Sequence, residues 1–574
     1  MNPQSQKEYQ RVRQHCGWFF LEDWCLVSGK GEDLFAYLQT QTTNDVLQLD
    51  PGTGQNSAIV DRMAKLIAFF SIHRDTENSV LFLIQQSQKE TFLETLEKHL
   101  FREDVQLDSQ PPQNLLLTIQ GPKSGLLMQK LSGEKVSLPK KENEVAWLDW
   151  SDGKILILYK SFSGEEGFVL AFENSLKHTI MSYILEKGES YGLTAISPET
   201  QETLRLEAGL PQFGKDVDGS RILPETGLEH RSISYNKGCY IGQEVIARVK
   251  TYGAPAHALM GLVVDGNCLP AYGGEILLDS KRIGMIKSTG FSPALGKNIA
   301  LAYINKDHRS PGVNLDTLID GAPFKVQTTL LPFYQAKSRQ DRARTLHTEA
   351  LKFFKNEENL DKPIALLREA IELDPKYAQA YEALGVLLSK QNKLDEAIAL
   401  MKRLAEIDTT EIMAHSNLSI YYMKQGRIED AENEKAEATA LQFEKLMVDS
   451  QAKKAKEKAN KEKQQEQENK ISMFKKVLEI DPADQVANFG IGSIYLENGR
   501  YEEALVHLKT LVEHFPDYSA AYLLLGKNLE KLSRKEEAIS CYEKGIAAAS
   551  KKGDLMPLQD MQNRRNQLLH SSKS

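Results

Sequence analysis

Residues 235–248 read YNKGCYIGQEVIAR, and the character of the chain differs on either side of them. Gly238 and Gly242 bracket Cys239 at a corner where the backbone must bend. Past that corner, IGQEVIARV carries apolar residues at helical spacing and predicts a helix beginning just after the cysteine. Upstream, KLIAFFSI (65–72), SVLFLI (79–84), NLLLTI (114–119) and KILILY (154–159) read as strands. Between them, QKETFLETLEKHL (88–100) and SLKHTIMSYILEKG (175–188) place apolar residues three and four apart and read as helices. Downstream, from about 255 to 335, helical patterns stop. Glycine-punctuated strands such as GEILLDSKRIGMIKSTG and KNIALAYIN predict a small β-barrel there.

Beyond Ala336 the pattern is helical and repeats. Leu384-Gly385 returns as Leu418-Ser419 and Ala397 as Ala431, each 34 residues on. Ile491-Gly492 returns as Leu525-Gly526 and Ala504 as Ala538 at the same spacing. Asp374-Pro375, Asp481-Pro482 and Phe515-Pro516 punctuate the turns. This period, with small residues where paired helices touch, resembles the tetratricopeptide repeat. Ala431 to Ala504 is 73 residues, two periods plus five. The segment between contains QAKKAKEKANKEKQQEQENK (451–470), with seven lysines, four glutamates and no large apolar residue. It reads as a solvated extension of a protruding helix pair, a spacer held by i,i+4 charge pairs rather than a binding arm.

At 574 residues the chain is too long for one core. A net charge of -8 gives no general attraction to nucleic acid or anionic lipid, and the lysine-rich segment is diluted by glutamate. Five scattered cysteines (16, 25, 239, 268, 541) without a C-x-x-C pair argue against a disulfide framework or a self-contained zinc site. With no apolar run of spanning length and no signal-peptide pattern in MNPQSQKEYQRVRQHCGWFF, the expected location is a reducing cytoplasm.

Three segments then fall close together: RLEAGLPQFGKDV (205–217), LPETGLEH (223–230) and NKGCYIGQE (236–244). With FAYLQTQTTNDV (35–46), IQGPKSGLL (119–127), SFSGEEGFVL (161–170) and IGMIKSTGFSPALGKNIALAYI (283–304), they resemble the YgfZ branch of the glycine-cleavage T-protein (aminomethyltransferase) superfamily over residues 15 to 335. The resemblance implies a ring of subdomains around a cavity for tetrahydrofolate. The expected fold class is multidomain. An α/β aminomethyltransferase-like folate-binding region (15–250) precedes a β-barrel subdomain (255–335). An all-α repeat solenoid (340–550) follows, with a charged helical extension near 445–470, then a capping helix and tail (551–574).

In the aminomethyltransferases the glutamate of a matching R-L-E-A segment accepts the pterin's parallel N–H pair, a role that falls here on Glu207. A structural salt bridge with Arg205 or a neighbour is its alternative. Tyr240 is a candidate stacking residue or a core aromatic, and Arg248 a candidate for the acidic tail, since a guanidinium matches a carboxylate. The enzyme branch carries a catalytic aspartate after the strand corresponding to SVLFLI. Here QQSQKETF (85–92) offers Lys89, Glu90 and Thr91 instead, so transferase chemistry survives only if Glu90 substitutes.

Cys239 is the candidate reactive group, with Lys237 two residues before it and a helix N-terminus just after as the features that would favour its thiolate. Its alternative is a small buried corner residue. Gly238, Gly242, Gln243 and Glu244 complete the signature loop. One cysteine cannot hold an iron–sulfur cluster, and no stable metal is expected.

YgfZ-type proteins are associated with maturing or repairing iron–sulfur enzymes, including tRNA-modifying ones. The resemblance therefore implies a folate-binding accessory factor without classical turnover, its repeats recruiting iron–sulfur clients or assembly proteins. The alternatives are an active tetrahydrofolate-dependent one-carbon transferase and a non-catalytic repeat scaffold. Self-association through the repeats competes with partner recruitment.

Overall fold

The computed structural model describes residues 2–133, 136–266, 268–319, 322–354, 360–552 and 554–570. Two sheets, a barrel and a helical array account for them, and period-2 patterning explains how the sheets stack. In strand Ser79–Gln85, Val80, Phe82 and Ile84 enter one core while Leu81 and Leu83 enter another. This strand belongs to a five-stranded sheet in the order Gly54–Val60, Leu66–Thr76, Ser79–Gln85, Trp24–Lys30, Gln106–Asp108. Helix Lys89–Glu97 covers one face through Phe92 and Leu96, and Phe92 joins Phe70 and Phe82 in an edge-to-face aromatic cluster. The other face packs through Leu26, Leu81 and Leu83 onto Leu116, Leu156, Leu158 and Val169.

Those partners belong to a six-stranded sheet ordered Leu193–Ala195, Cys16–Phe20, Leu115–Gln120, Gly167–Phe172, Gly153–Tyr159, Val145–Trp150. Helices Ser124–Ser132 and Lys177–Gly188 close its far side. An N-terminal helix, Pro3–Gln14, starts at an Asn2 cap that accepts the Ser5 N–H at 2.8 Å, and buries Tyr9 and Val12.

The predicted barrel is present and closed: His257–Val264, Lys297–Asn305, Lys281–Ser292, Glu275–Leu278, Asn314–Ile319, Ala322–Thr329. Strand Lys297–Asn305 serves two cores. Ala300, Ala302 and Ile304 fill the barrel. Ile299, Leu301 and Tyr303 pack outward against Leu206, Leu223, Tyr240 and Ile246. Gly284 lets strands meet, since a Cβ there would lie 2.4 Å from the Tyr303 carbonyl oxygen.

By contact the chain divides between Leu400 and Met401. The first unit carries repeat-region helices Arg339–Lys352, Asp361–Leu373 and Ala378–Lys390. In the second unit, Gln485–Glu497 pairs with Tyr501–His514 and Ser519–Lys531 with Lys535–Lys552. Ala397, Ala431, Ala504 and Ala538, the recurring small positions, are all buried.

The expected helix pair around 451–470 is instead one helix, Ile428–Ile480, of 53 residues. The segment supplies no glycine or proline to end it. The charge pairs proposed for side chains 451–463, and the tail 571–574, lie outside the described residues. No described helix is long and apolar enough to cross a membrane.

Candidate functional site

The signature loop is held from both ends. Lys237 is only 7% exposed, and its ammonium donates to the carbonyls of Thr42 at 2.7 Å and Asn44 at 2.8 Å. It also lies 5.2 Å from the centre of the Tyr240 ring. Burial pushes its pKa down to about 8, although Asp45 pulls the other way. Lys237 therefore spends its charge anchoring the loop to residues 42–44, not on Cys239 as the sequence suggested.

At the other end Gly242 caps helix Gln243–Tyr252 with φ +81°, and a Cβ there would lie 2.5 Å from the Asp61 carbonyl oxygen. Gln243 reaches back to the Lys237 carbonyl at 3.4 Å. Between the two anchors Gly238 and Cys239 are exposed, as are Glu244 and Arg248 on the outer side of the helix. Tyr240 turns inward and packs with Ile246 and Leu228 in the core shared with the barrel.

A separate cavity of 1130 Å³ opens among the two sheets and helix Pro198–Glu207. Trp18, Trp24, Phe69, Phe162 and Phe213 give it aromatic walls. Lys160 lies on the wall, 9% exposed, donating to Asn56 Oδ1 and Asn143 Oδ1, both at 2.8 Å, with Glu142 at 3.4 Å. Burial lowers its pKa, countered in part by Glu142. Gln55, also on the wall, has a buried Nε2 with no hydrogen-bond partner. Arg231 adds a further cation.

Helix Pro198–Glu207 and the residue after it turn Gln201, Glu202, Arg205 and Ala208 toward the cavity. Glu202 pairs with Arg205 and Lys215, both at 2.7 Å. Burial pushes its carboxyl up, but these two cations outweigh burial and hold it below the usual carboxylate range.

Glu207 points to the opposite side of the same helix and is fully buried. Its oxygens accept from Tyr9 at 2.7 Å, Arg13 and Ser292 at 2.5 Å and the Ala294 N–H at 3.0 Å. Four donors occupy the carboxylate's four lone-pair sites. None of Glu207, Tyr240 and Arg248 is among the residues lining the cavity. From the turn after SVLFLI the cavity receives Gln85 and Gln88, while Glu90 is exposed outside it. Gln88 accepts the Phe69 N–H at 2.8 Å and donates to Gln85 at 3.3 Å.

Lys160, Gln55, Glu202, Arg231 and the cavity aromatics escaped the sequence reading. A lysine directly after the apolar run KILILY (154–159) is the signal that could have found Lys160.

Two stacked sheets, a following six-stranded barrel and an internal cavity define a folded class of α/β proteins with an appended helical-repeat region. The GCVT N-terminal domain matches residues 1–237 and the glycine cleavage T-protein C-terminal barrel domain matches 257–335. Tetratricopeptide repeats match 366–399, 471–527 and 495–552. The aminomethyltransferase of Bacillus subtilis (strain 168) is 30% identical over 329 residues, 57% of this chain and 90% of that protein. That of Caldanaerobacter subterraneus subsp. tengcongensis is 28% identical, over 57% of this chain and 87% of that protein. The crystal structure of glycine cleavage system aminomethyltransferase T from Bartonella henselae shares the fold, with a TM-score of 0.53 at 20% identity, covering 58% of this chain and 90% of that one. The chain belongs to the aminomethyltransferase (glycine-cleavage T-protein) family and extends it with tetratricopeptide repeats.

Proposed function

We propose that this protein is a folate-binding accessory factor for iron–sulfur enzymes, with tetrahydrofolate in the cavity and Cys239 acting outside it on a client. The observation that carries the folate half is the cavity itself: 1130 Å³, aromatic-walled, with charged groups along its rim. A flat heteroaromatic ring with an acidic tail is matched by aromatic walls plus Lys160 and Arg231. The orphaned Gln55 N–H fits an acceptor on such a ring. On the helix that carried the expected pterin carboxylate, Glu202 is the one that faces the cavity, so we assign the polar contact to it and a structural anchoring role to Glu207. When bound, a tetrahydrofolate supplies one-carbon or redox chemistry. The chain's own residues enclose it and orient it.

Two observations support an accessory role over turnover. The turn that should present an acid to the folate presents two glutamines, Gln85 and Gln88, already bonded to each other. The exposed thiol of Cys239 is off the cavity wall, a position suited to a macromolecular client rather than to the folate. The repeats are the natural surface for recruiting that client, and tRNA-modifying cluster enzymes are among the candidates. A one-carbon transferase is the second reading, favoured by the family itself. It requires a general acid other than Glu90.

Calorimetric titration with tetrahydrofolate under reducing, oxygen-free conditions is the direct test. Saturable one-to-one binding is expected, and absence of binding would remove the folate reading. In parallel, Cys239→Ala should fold normally, because the side chain is exposed, yet fail to support client iron–sulfur enzymes. Full client activity in that variant would remove the thiol's role.

A further inference from the structure

Pro332, Tyr334, Gln335 and Ala336, which follow the barrel, form part of the cavity wall. Three residues later begins the first helix of the repeat region, Arg339–Lys352, capped by Ser338. Its first turn is bound to the loop that forms another part of that wall. Arg339 Nη2 donates to both oxygens of Glu166 at 2.8 Å, and Arg342 bonds Glu165. Ser161, Phe162 and Gly164 of the same loop face the cavity. From the next repeat helix, Glu369 accepts Lys123 at 2.9 Å.

Glu165 is the hub. Its side chain is fully buried and also accepts the Tyr334 hydroxyl at 2.5 Å, with Arg13 at 3.4 Å. The Arg13 guanidinium stacks 3.6 Å from the Tyr334 ring centre and bonds Glu207 at 2.5 Å. The Tyr334 N–H donates to the Glu207 carbonyl at 2.9 Å. An alternating chain Glu207–Arg13–Glu165–Arg342 thus runs from the cavity helix to the first repeat helix, with Tyr334 clamped across it.

We propose that Arg342 and Arg339 are positioning residues for the cavity, so that ligand affinity depends on the seating of the first repeat helix. The proposal rests on the cavity being the folate site. Removing Arg342 leaves Glu165 a buried charge whose other cation is at a longer distance, and such a group reorganises its surroundings toward water. The groups that must move with it, Tyr334 and loop 161–166, are cavity wall. Coupling of this kind is reciprocal: a ligand that tightens the wall also tightens the first repeat helix. Engagement of the repeats by a partner and occupancy of the cavity then bias each other.

Tetrahydrofolate titrations on the full chain, wild type against Arg342→Ala, Arg342→Lys and the Arg339→Ala/Arg342→Ala pair, test it together with amide exchange over 333–352. Expected are a loss of affinity of about tenfold for Arg342→Ala, within the usual span of coupling energies, and a smaller loss for Arg342→Lys. In the wild type, tetrahydrofolate should slow exchange across 339–352. Arg368→Ala, which breaks a pair with Glu396 and touches no cavity wall, should leave affinity unchanged.

If the wild type binds but Arg342→Ala binds equally and 339–352 gains no protection, the coupling is refuted while the folate site stands. If the wild type does not bind, the folate site itself falls, and this proposal with it. Should Arg342→Ala misfold, the exchange measurement on the wild type decides alone.

Discussion

Lys237 gives its charge to two carbonyls and an aromatic face while almost wholly buried, and burial lowers its pKa to about 8. The unfolded chain therefore holds more protons than the folded one between about pH 8 and the ordinary lysine value near 10.4. Stability contributed by this group rises with pH across that window and is constant below it. The full rise is on the order of 3 kcal/mol. Denaturant unfolding of the wild type and Lys237→Met at pH 7.5 and 10 should show the difference between them growing with pH. A pH-independent difference would mean that the fold does not depress the group. The signature K-G-C-Y was legible as a motif, but whether Lys237 serves the thiol or the scaffold was not, because residues 42–44 approach it only in the fold.

Helix–helix approach in the repeats turns on single glycines. At Gly526 a Cβ would lie 2.1 Å from the Tyr542 ring, so helices Ser519–Lys531 and Lys535–Lys552 meet backbone to ring. Gly526→Ala should destabilise the repeat unit by about 1–3 kcal/mol through overpacking, despite alanine's helix-propensity advantage of about 1 kcal/mol. Thermal unfolding of the full chain checks it, with an unchanged or raised midpoint as the contrary result. Ser419 occupies the equivalent place four helices earlier and donates to the Ala431 carbonyl at 2.7 Å, a substitution the close approach tolerates. The period announced these contacts in advance. It did not announce the 53-residue helix, because a break in register can be met by a turn or by uninterrupted helix, and only the lack of a stop signal separates them.

Across the whole molecule the chain resolves into units 1–400 and 401–574. Calorimetric unfolding should accordingly show more than one transition, since separate compact units rarely melt as one. A single peak with equal calorimetric and van't Hoff enthalpies would contradict this. The first unit does not end with the family's barrel. It includes repeat helices fastened by Arg339, Arg342 and Glu369, so the boundary read from composition near residue 340 is not a boundary in contacts.

Local patterning determined much by itself. Period-2 strands, the glycine-rich barrel and the 34-residue repeat all follow from which side chains must be buried at which spacing, and a one-dimensional pattern records that directly. The short motif around Cys239 likewise marked a loop that the fold exposes. Only the tertiary structure decided which polar residues face the cavity. Glu202 and Glu207 stand on one helix five residues apart, equally plausible in sequence, and the 3.6-residue turn sends one to the cavity and the other into a buried network with Arg13 and Tyr9. Cavity walls are assembled from segments hundreds of residues apart, from Trp18 to Tyr334, and no spacing along the chain encodes that meeting.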